Sequence, residues 1–233
     1  MKPLRGLLKI FIRKPKMIYL GEPIEEQSII LSNHVGSSGP LTLECYFKDQ
    51  PFRFWGTYEM NGNLKMVYKY LSEVFYHQKK GWNLTLARMF CLIAAPLVKM
   101  FYAGLNLIST YPDMRFKGTL QESKKTLKSG QSLIIFPEDS SKGYFDELTS
   151  FYSGFAVFAN MFYKKGVDLP IYASYLNRKT RVYVVSEKMM FSELIKDGFD
   201  RVELAKRMLD KVNGLREYTL KEKDKIEKNE KPQ

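Results

Sequence analysis

The stretch 119-TLQESKKTLKSGQSLIIFPEDSSKG-143 decides the fold class of this chain of 233 residues. Thr119 followed three residues later by Glu122 is typical of a capping box, so a helix is predicted to begin there and to end at Gly130. The apolar run 132–136 follows directly and predicts a buried strand. A helix that leads straight into a buried strand is typical of α/β folds.

The same alternation continues towards the C-terminus. Four further elements are predicted, a helix at 150–165, strands at 169–176 and 181–185, and a last helix from 200 to Gly214. They predict a single α/β domain over residues 1–214, with a mixed, mostly parallel sheet flanked by helices. Residues 215–233 hold six basic and five acidic side chains and few apolar ones, so they are predicted to form a charged, disordered tail.

The charge balance favours anionic partners. The chain has 37 Lys and Arg against 25 Asp and Glu, a formal net charge of +12. Such an excess attracts nucleic acid, acidic lipid head groups or phosphorylated substrates. Residues 1–20 contain six basic side chains and no acid, interleaved with apolar residues. This basic amphipathic N-terminus suits an anionic membrane surface, and an ordinary basic surface element has the same composition.

The most apolar part of the chain is 84–108, which is interrupted by Arg88, Pro96 and Lys99. Its uncharged run, 89–98, is half of the ~20 residues that a bilayer span requires. No transmembrane helix is therefore predicted. A core helix and a helix partly inserted into a membrane interface both remain compatible with the pattern.

Several classes of site have no sequence support. Cys45 and Cys91 occur without a CxxC motif or a histidine pair, so neither a disulfide nor a metal site is expected, and a reducing cytoplasm is the expected compartment. The chain has no Gly-x-Ser-x-Gly elbow, no P-loop and no dinucleotide-binding glycine turn. No nucleic-acid recognition signature is present, and no nucleic-acid partner is expected.

Two segments could carry chemistry. In 28-SIILSNHVGSSGP-40 an apolar strand runs into a polar turn that contains His34, and Pro40 is placed to begin a helix. A histidine at the mouth of such a turn is suited to proton transfer near neutral pH. In 136-FPEDSSKG-143 a buried strand leads into a loop with two acids, two hydroxyls and Lys142. Loops at strand ends of α/β sheets commonly form ligand sites.

Together these segments resemble the 1-acyl-glycerol-3-phosphate acyltransferase family of glycerolipid acyltransferases. That family has an Asn-His-x4-Asp motif, then a Phe-Pro-Glu-Gly loop, then a hydrophobic-Pro-hydrophobic strand. The matching residues here are Asn33-His34, Phe136-Pro137-Glu138 and Leu169-Pro170-Ile171, and Phe151, Gly154, Phe155 and Ala159 match a later family pattern. The resemblance covers residues 15–185.

The resemblance implies transfer of a fatty acyl group from acyl-CoA or acyl carrier protein to a hydroxyl of a lysophospholipid or related lipid. It implies no cofactor beyond this co-substrate, membrane lipids as partners, and a cytoplasmic location peripheral to the inner face of the cell membrane. His34 would be the general base, Glu138 would bind the polar part of the acceptor, and Arg115 and Lys142 would hold phosphate. The substrate-binding set implied is Asn33, Ser37, Ser38, Arg115, Glu138, Ser140 and Lys142.

The chain departs from the family at two linked positions. Gly39 stands where the family has the aspartate that orients the histidine, and Asp139 stands where the family has glycine. Three interpretations follow. Asp139 orients His34 in place of the lost acid, which is the preferred one; a backbone carbonyl or water holds the ring and turnover is slow; or the protein binds lipid without turning it over. Restoring the acid with Gly39→Asp is expected to separate these alternatives.

Overall fold

The computed structural model describes residues 6, 9, 10 and 12–229, apart from 37, 49 and 106. Its centre is one eight-stranded sheet with the order β1-β7-β6-β2-β5-β3-β4, and β8 pairs with β6. The strands are β1 (Lys16–Tyr19), β2 (Ile29–Ser32), β3 (Phe52–Thr57), β4 (Ile108–Thr110), β5 (Ser132–Ile135), β6 (Pro170–Asn177), β7 (Val182–Val185) and β8 (Met189–Met190).

The sheet is mixed and mostly parallel, which confirms the predicted fold class. Strands β2 to β6 run parallel to their neighbours, whereas β7 and β8 run antiparallel to β6. The carboxyl ends of β2, β3, β4, β5 and β6 therefore share one edge of the sheet. Loops that leave this edge are where open α/β sheets form their ligand sites.

Helices cover both faces of the sheet. They are α1 (Ser38–Tyr46), α2 (Tyr58–Asn61), α3 (Leu64–Lys69), a π-helix (Tyr70–Lys79), α4 (Leu84–Ala103), α5 (Phe116–Lys128), α6 (Gly154–Tyr163), α7 (Phe191–Leu194) and α8 (Arg201–Asn229). Helices α5, α6 and α8 pack on one face with Ile29 and Leu31 of β2. Ile30, between them, packs with α1, α3 and α4 on the other face. The alternating side chains of the strand thus serve two cores.

The predicted strands at 132–136, 169–176 and 181–185 are confirmed within one residue at each end. The predicted capping box is wrong, because α5 already begins at Phe116. The Thr119 hydroxyl donates to the carbonyl oxygen of Ser109, so it anchors the helix on β4 and caps nothing.

The last helix does not end at Gly214 as predicted but continues to Asn229, so the predicted domain boundary at residue 214 falls inside it. Leu215 and Thr219 are buried against the sheet side of the domain. The Thr219 hydroxyl oxygen accepts a hydrogen bond from the buried amide of Asn177 in β6 at 2.8 Å. Burial of one apolar stripe therefore carries the helix beyond the glycine.

Part of the predicted basic amphipathic N-terminus, residues 1–20, lies outside the described residues. From Lys16 onward the segment is strand β1, which runs parallel to β7 at the edge of the sheet. The Tyr46 hydroxyl of α1 donates to the carbonyl oxygen of Ile12. The described end of this segment is thus fixed on the domain.

Candidate functional site

The loops after β2 and β5 meet because these two strands are parallel neighbours, with Ile29 opposite Leu133 and Leu31 opposite Ile135. The backbone N–H of His34 donates to the Glu138 carboxylate at 3.1 Å. The two segments singled out by the sequence therefore form one site at the carboxyl edge of the sheet.

A tight turn presents His34. Val35 and Gly36 both have left-handed backbone conformations, with φ of 47° and 64°. For a β-branched residue such as valine this conformation is strained, and strain of this kind clusters at functional sites. The Gly39 N–H then donates to the carbonyl oxygen of His34 at 3.1 Å, which closes the turn into α1.

The imidazole of His34 lies between two aromatic rings. Tyr144 stacks on it with centroids 5.2 Å apart, and Phe136 meets it edge-on at 5.0 Å. Its Nδ1 atom is buried without a hydrogen-bond partner in the part of the chain that the structure describes. Burial, with Lys79 as the second cause, lowers the pKa of His34 to about 4, although the Gly36 backbone opposes this shift. The ring is therefore neutral at neutral pH.

In the described structure Asp139 hydrogen-bonds within its own loop and not directly to His34, so its orienting role stays a prediction. Its carboxylate accepts from the Ser141 N–H at 3.0 Å and from the Tyr152 hydroxyl at 2.9 Å. The hydrogen bond from the Ser141 backbone is the main cause that lowers the pKa of Asp139. Asp139 therefore stabilises its own loop. The presence of an acid at position 139, where the family has glycine, did not indicate in which direction its side chain points.

The family aspartate has no room at position 39. A Cβ atom built on Gly39 would lie 2.5 Å from the carbonyl oxygen of His34 and 3.0 Å from that of Asn33. Both neighbours are backbone atoms of the turn that holds the imidazole. A side chain at position 39 would therefore require the turn to shift, and Gly39→Asp cannot simply supply an orienting acid.

Glu138 joins the two loops. The residue is buried, and its carboxylate accepts hydrogen bonds from the backbone of His34 and of Phe145. Burial raises the pKa of Glu138 despite these bonds and the nearby ammonium of Lys79. These contacts fix the site from inside, and a part in binding the acceptor stays a prediction.

Asn33 links two strands of the sheet. Its buried side-chain amide donates to the carbonyl oxygen of Leu176 at 3.0 Å and accepts from the Leu176 N–H at 2.7 Å. This pair of bonds joins the end of β2 to β6. A part in substrate binding stays a prediction.

The remaining predicted residues are distributed over the same edge of the sheet. Arg115 pairs with Asp113 at 2.7 Å and stacks on the rings of Tyr58 and Tyr111, beyond β3 and β4. Lys142 is exposed, Ser38 is the first residue of α1, and position 37 lies outside the described residues. Phosphate binding by Arg115 and Lys142 stays a prediction.

Sequence reasoning missed Lys79, which enters the site from the π-helix. Its ammonium donates to the Ser140 hydroxyl at 2.7 Å and lies 5.6 Å from the centre of the Tyr144 ring. Burial lowers the pKa of Lys79, while Asp139 and Glu138 oppose the shift. Lys80, the next residue along the chain, lies 5.5 Å from the centre of the same ring. Long π-helical segments are rare and occur often at functional sites, but sequence patterns do not reveal them.

An apolar cavity of about 480 Å³ opens beside His34. This volume is within the range of about 300–1,000 Å³ that small-molecule sites occupy. Its lining includes His34, Phe54, Leu71, Phe101, Phe136 and Tyr144. Burial raises the pKa of Tyr102, which also lines the cavity, to about 12, so this phenol remains protonated. The size and lining of the cavity suit an apolar ligand beside the imidazole.

Helix α4 forms one wall of this cavity, and most of it is exposed. Its inner face carries the small residues Ala87, Cys91 and Ala95, whereas its outer face, defined by Leu86, Met89, Phe90, Leu92, Ile93, Leu97 and Met100, is exposed. The core-helix alternative for 84–108 is therefore wrong. Among the described helices, Leu84–Ala103 is long and apolar enough to cross a membrane by length and composition alone.

The chain matches no protein-family model and no curated protein sequence. Within the described residues, His, Cys, Asp and Glu side chains form no group of three or more that could hold a metal ion. Function is therefore inferred from the geometry of the site.

Proposed function

We propose that this protein transfers a fatty acyl group from acyl-CoA or acyl carrier protein to a hydroxyl of a lysophospholipid or related lipid. One observation carries the proposal: a neutral imidazole lines a large apolar cavity at the point where two polar loops meet. The resemblance of these loops to the acyltransferase motifs adds the reaction class.

His34 acts as the general base in this reaction. Its neutral ring accepts the proton of the acceptor hydroxyl while the oxygen attacks the thioester carbonyl carbon. The new C–O bond forms, the C–S bond breaks, and the departing thiolate takes the proton from the imidazolium. No carboxylate of the described residues hydrogen-bonds to the ring and Lys79 opposes its charged form, so turnover is slow by comparison with acid-oriented histidines.

The polar part of the substrate occupies the loop side of the site. The ammonium groups of Lys79 and Lys80 lie 5.6 Å and 5.5 Å from the centre of the Tyr144 ring, which stacks on the imidazole, and so bring positive charge close to it. Ammonium groups bind phosphate as point charges, so this pair favours an anionic acceptor or the phosphate of the thioester carrier. Ser38, Ser140, Arg115 and Lys142 remain candidates for further contacts.

We place the protein at the cytoplasmic face of a membrane, bound peripherally. The net charge of +12 and the exposed apolar outer face of α4 support this location. The two cysteines are buried and free, in keeping with a reducing compartment.

A lipid-binding protein without turnover is the second candidate. It is favoured by the unpartnered Nδ1 of His34 and by the lack of space for an acid at Gly39. Such a protein would use the same cavity and would leave the thioester intact.

Acyl transfer from a labelled thioester to a panel of lysophospholipids tests the proposal. Wild-type protein is expected to form product, and His34→Ala is expected to abolish it while the fold stays intact, because the Nδ1 atom of the ring has no hydrogen bond to lose within the described residues. His77→Ala, which alters the only other histidine, is the matched control and is expected to keep activity. Acyl chains that bind without product across the panel would instead assign the lipid-binding function.

A further inference from the structure

We propose that the outer face of α4 lies flat on an anionic bilayer, and that lipid chains enter the apolar cavity from the bilayer past Leu97 and Met100. This inference rests on the proposed function and adds the surface and the route by which that site meets its substrate. Three observations on the described residues carry it.

The first observation is that α4 is inverted relative to a core helix. Ala87, Cys91 and Ala95 face the protein along most of the helix, together with the larger Phe101 near its end, and large apolar residues face outward. Because the inner face packs on the protein at Ala87, Cys91 and Ala95, the helix lies along the surface of the domain. A continuous apolar face of this kind marks an interaction surface.

The second observation is that two residues belong both to this face and to the cavity. Leu97 and Met100 are exposed on the outer face of α4 and also line the cavity beside His34. Whatever covers the outer face therefore controls access to the cavity. A bilayer would cover this face and would also supply apolar lipid chains, which match the apolar lining of the cavity.

The third observation is the charge and aromatic content around the face. From Leu64 to Ala103, six basic residues stand against one acid, Glu73. Trp82, Tyr76 and Phe90 pack ring to ring at the start of α4. Basic residues next to an apolar face favour anionic lipid, and amphipathic aromatic rings favour the head-group region.

The native tryptophans provide the test. Trp55 is 9% exposed and hydrogen-bonded to Ser123, whereas Trp82 is 41% exposed at the edge of the face. In Trp55→Phe protein, vesicles of phosphatidylcholine with phosphatidylglycerol are expected to shift Trp82 emission to the blue. Bromine near the glycerol end of the lipid chains is expected to quench more than bromine near the methyl end. No shift, or stronger quenching from the deep bromine, would overturn the flat orientation.

Charge variants test the surface independently of fluorescence. Leu92→Glu is expected to reduce co-sedimentation with anionic vesicles at least about tenfold, because it removes apolar burial and adds repulsion. Val202→Glu on α8 is the matched control, since Val202 is 66% exposed and Leu92 is 67% exposed. Equal loss in both variants, or a dimer that hides Trp82 without lipid, would assign the face to something other than a bilayer.

The route is tested at the cavity mouth. Leu97→Trp is expected to slow transfer of a pyrene-labelled lysophospholipid from vesicles to protein about tenfold while vesicle binding stays unchanged. Leu86→Trp is the control, because Leu86 is 62% exposed and Leu97 is 58% exposed on the same face, but only Leu97 lines the cavity. Equal rates in the two variants would overturn the lateral route.

Vesicle binding without acyl transfer would overturn the proposed function alone. Acyl transfer from detergent without vesicle binding would overturn this inference alone.

Discussion

The imidazole of His34 is held by packing between aromatic rings and by the backbone of its turn. Within the described residues, no carboxylate hydrogen-bonds to the ring. Burial of the ring and the ammonium of Lys79 both disfavour the charged form. The side chain is thereby available as a neutral base, at the cost of weaker stabilisation of the imidazolium that forms during transfer.

The depressed pKa of His34 makes stability depend on pH. In the unfolded chain the ring takes up a proton near pH 6.5, but the folded protein resists protonation until about pH 4. The stabilisation is therefore complete above pH 6.5 and is lost progressively as the pH falls towards 4. At pH 5 we expect a free energy of unfolding about 2 kcal/mol lower than at pH 8 from this group.

Urea unfolding of wild type, His34→Asn and His77→Asn at both pH values measures this term. His34→Asn is expected to lose it because the amide does not titrate, and His77→Asn is expected to keep it. The same acid sensitivity in all three proteins would contradict a neutral, buried His34.

Gly39 is predicted to tolerate no side chain. Gly39→Ala is expected to lower the free energy of unfolding by about 1–3 kcal/mol, because its Cβ would meet backbone oxygens of the turn. Gly118→Ala, in α5 with open space around it, is the control and is expected to add about 0.5–1 kcal/mol. Chemical denaturation compares the two.

Gly39→Asp is expected to destabilise the protein as Gly39→Ala does and to leave the rate of acyl transfer no higher than in wild type. A gain in turnover would contradict the steric explanation.

At the scale of elements, the π-helix determines which cation reaches the site. It begins where α3 ends and continues to Lys79, whose ammonium bonds to Ser140 on the loop after β5. Wider winding in a π-helix turns its last side chains away from the positions that α-helical spacing would give them. The functional cation therefore comes from an element that is remote in sequence from both motifs.

Lys79→Met is expected to raise the pKa of His34 above about 4 but to leave it below 6.5, because burial is the larger cause of the depression. Titration of the imidazole by NMR measures the change, and Lys69→Met, on the exposed side of α3, is the control. Lys79→Met is also expected to weaken the binding of an anionic lysophospholipid about tenfold, whereas the binding of a neutral one is expected to change little. An unchanged titration would mean that the ammonium does not act on the ring.

At the scale of the whole molecule, two cores on opposite faces of one sheet hold the site edge in place. The core beneath α8 includes Leu204, Met208 and Val212, together with Phe155 and Phe158 of α6. The opposite core includes the helices that enclose the apolar cavity. The site thus lies over one core while the C-terminal helix secures the other.

Truncation measures how far the domain extends. A chain that ends at Asn213 is expected to lose about 3 kcal/mol or more of unfolding free energy, because it loses buried Leu215 and leaves the Asn177 amide without Thr219. A chain that ends at Lys221 is the control and is expected to unfold like the full chain. Equal stability of the two truncated chains would restore the boundary at Gly214.

Sequence patterns alone predicted the α/β class, the positions of the strands from residue 132 onward and the meeting of the His34 and Glu138 loops. These features depend on local information. Buried strands are marked by runs of apolar residues, and neighbouring parallel strands bring their carboxyl ends to one edge.

Only the tertiary structure decided which way the side chains face and what they contact. Asp139 turns to Ser141 and Tyr152, and Lys79 arrives from the π-helix, because orientation and long-range approach are not encoded in residue spacing. The burial of α8 beyond Gly214 and the exposure of α4 likewise depend on which faces find a partner. An apolar stripe in the sequence predicts that one face of a helix is buried. Only the packing of the whole domain shows whether that face is buried against the protein itself or is left for another surface.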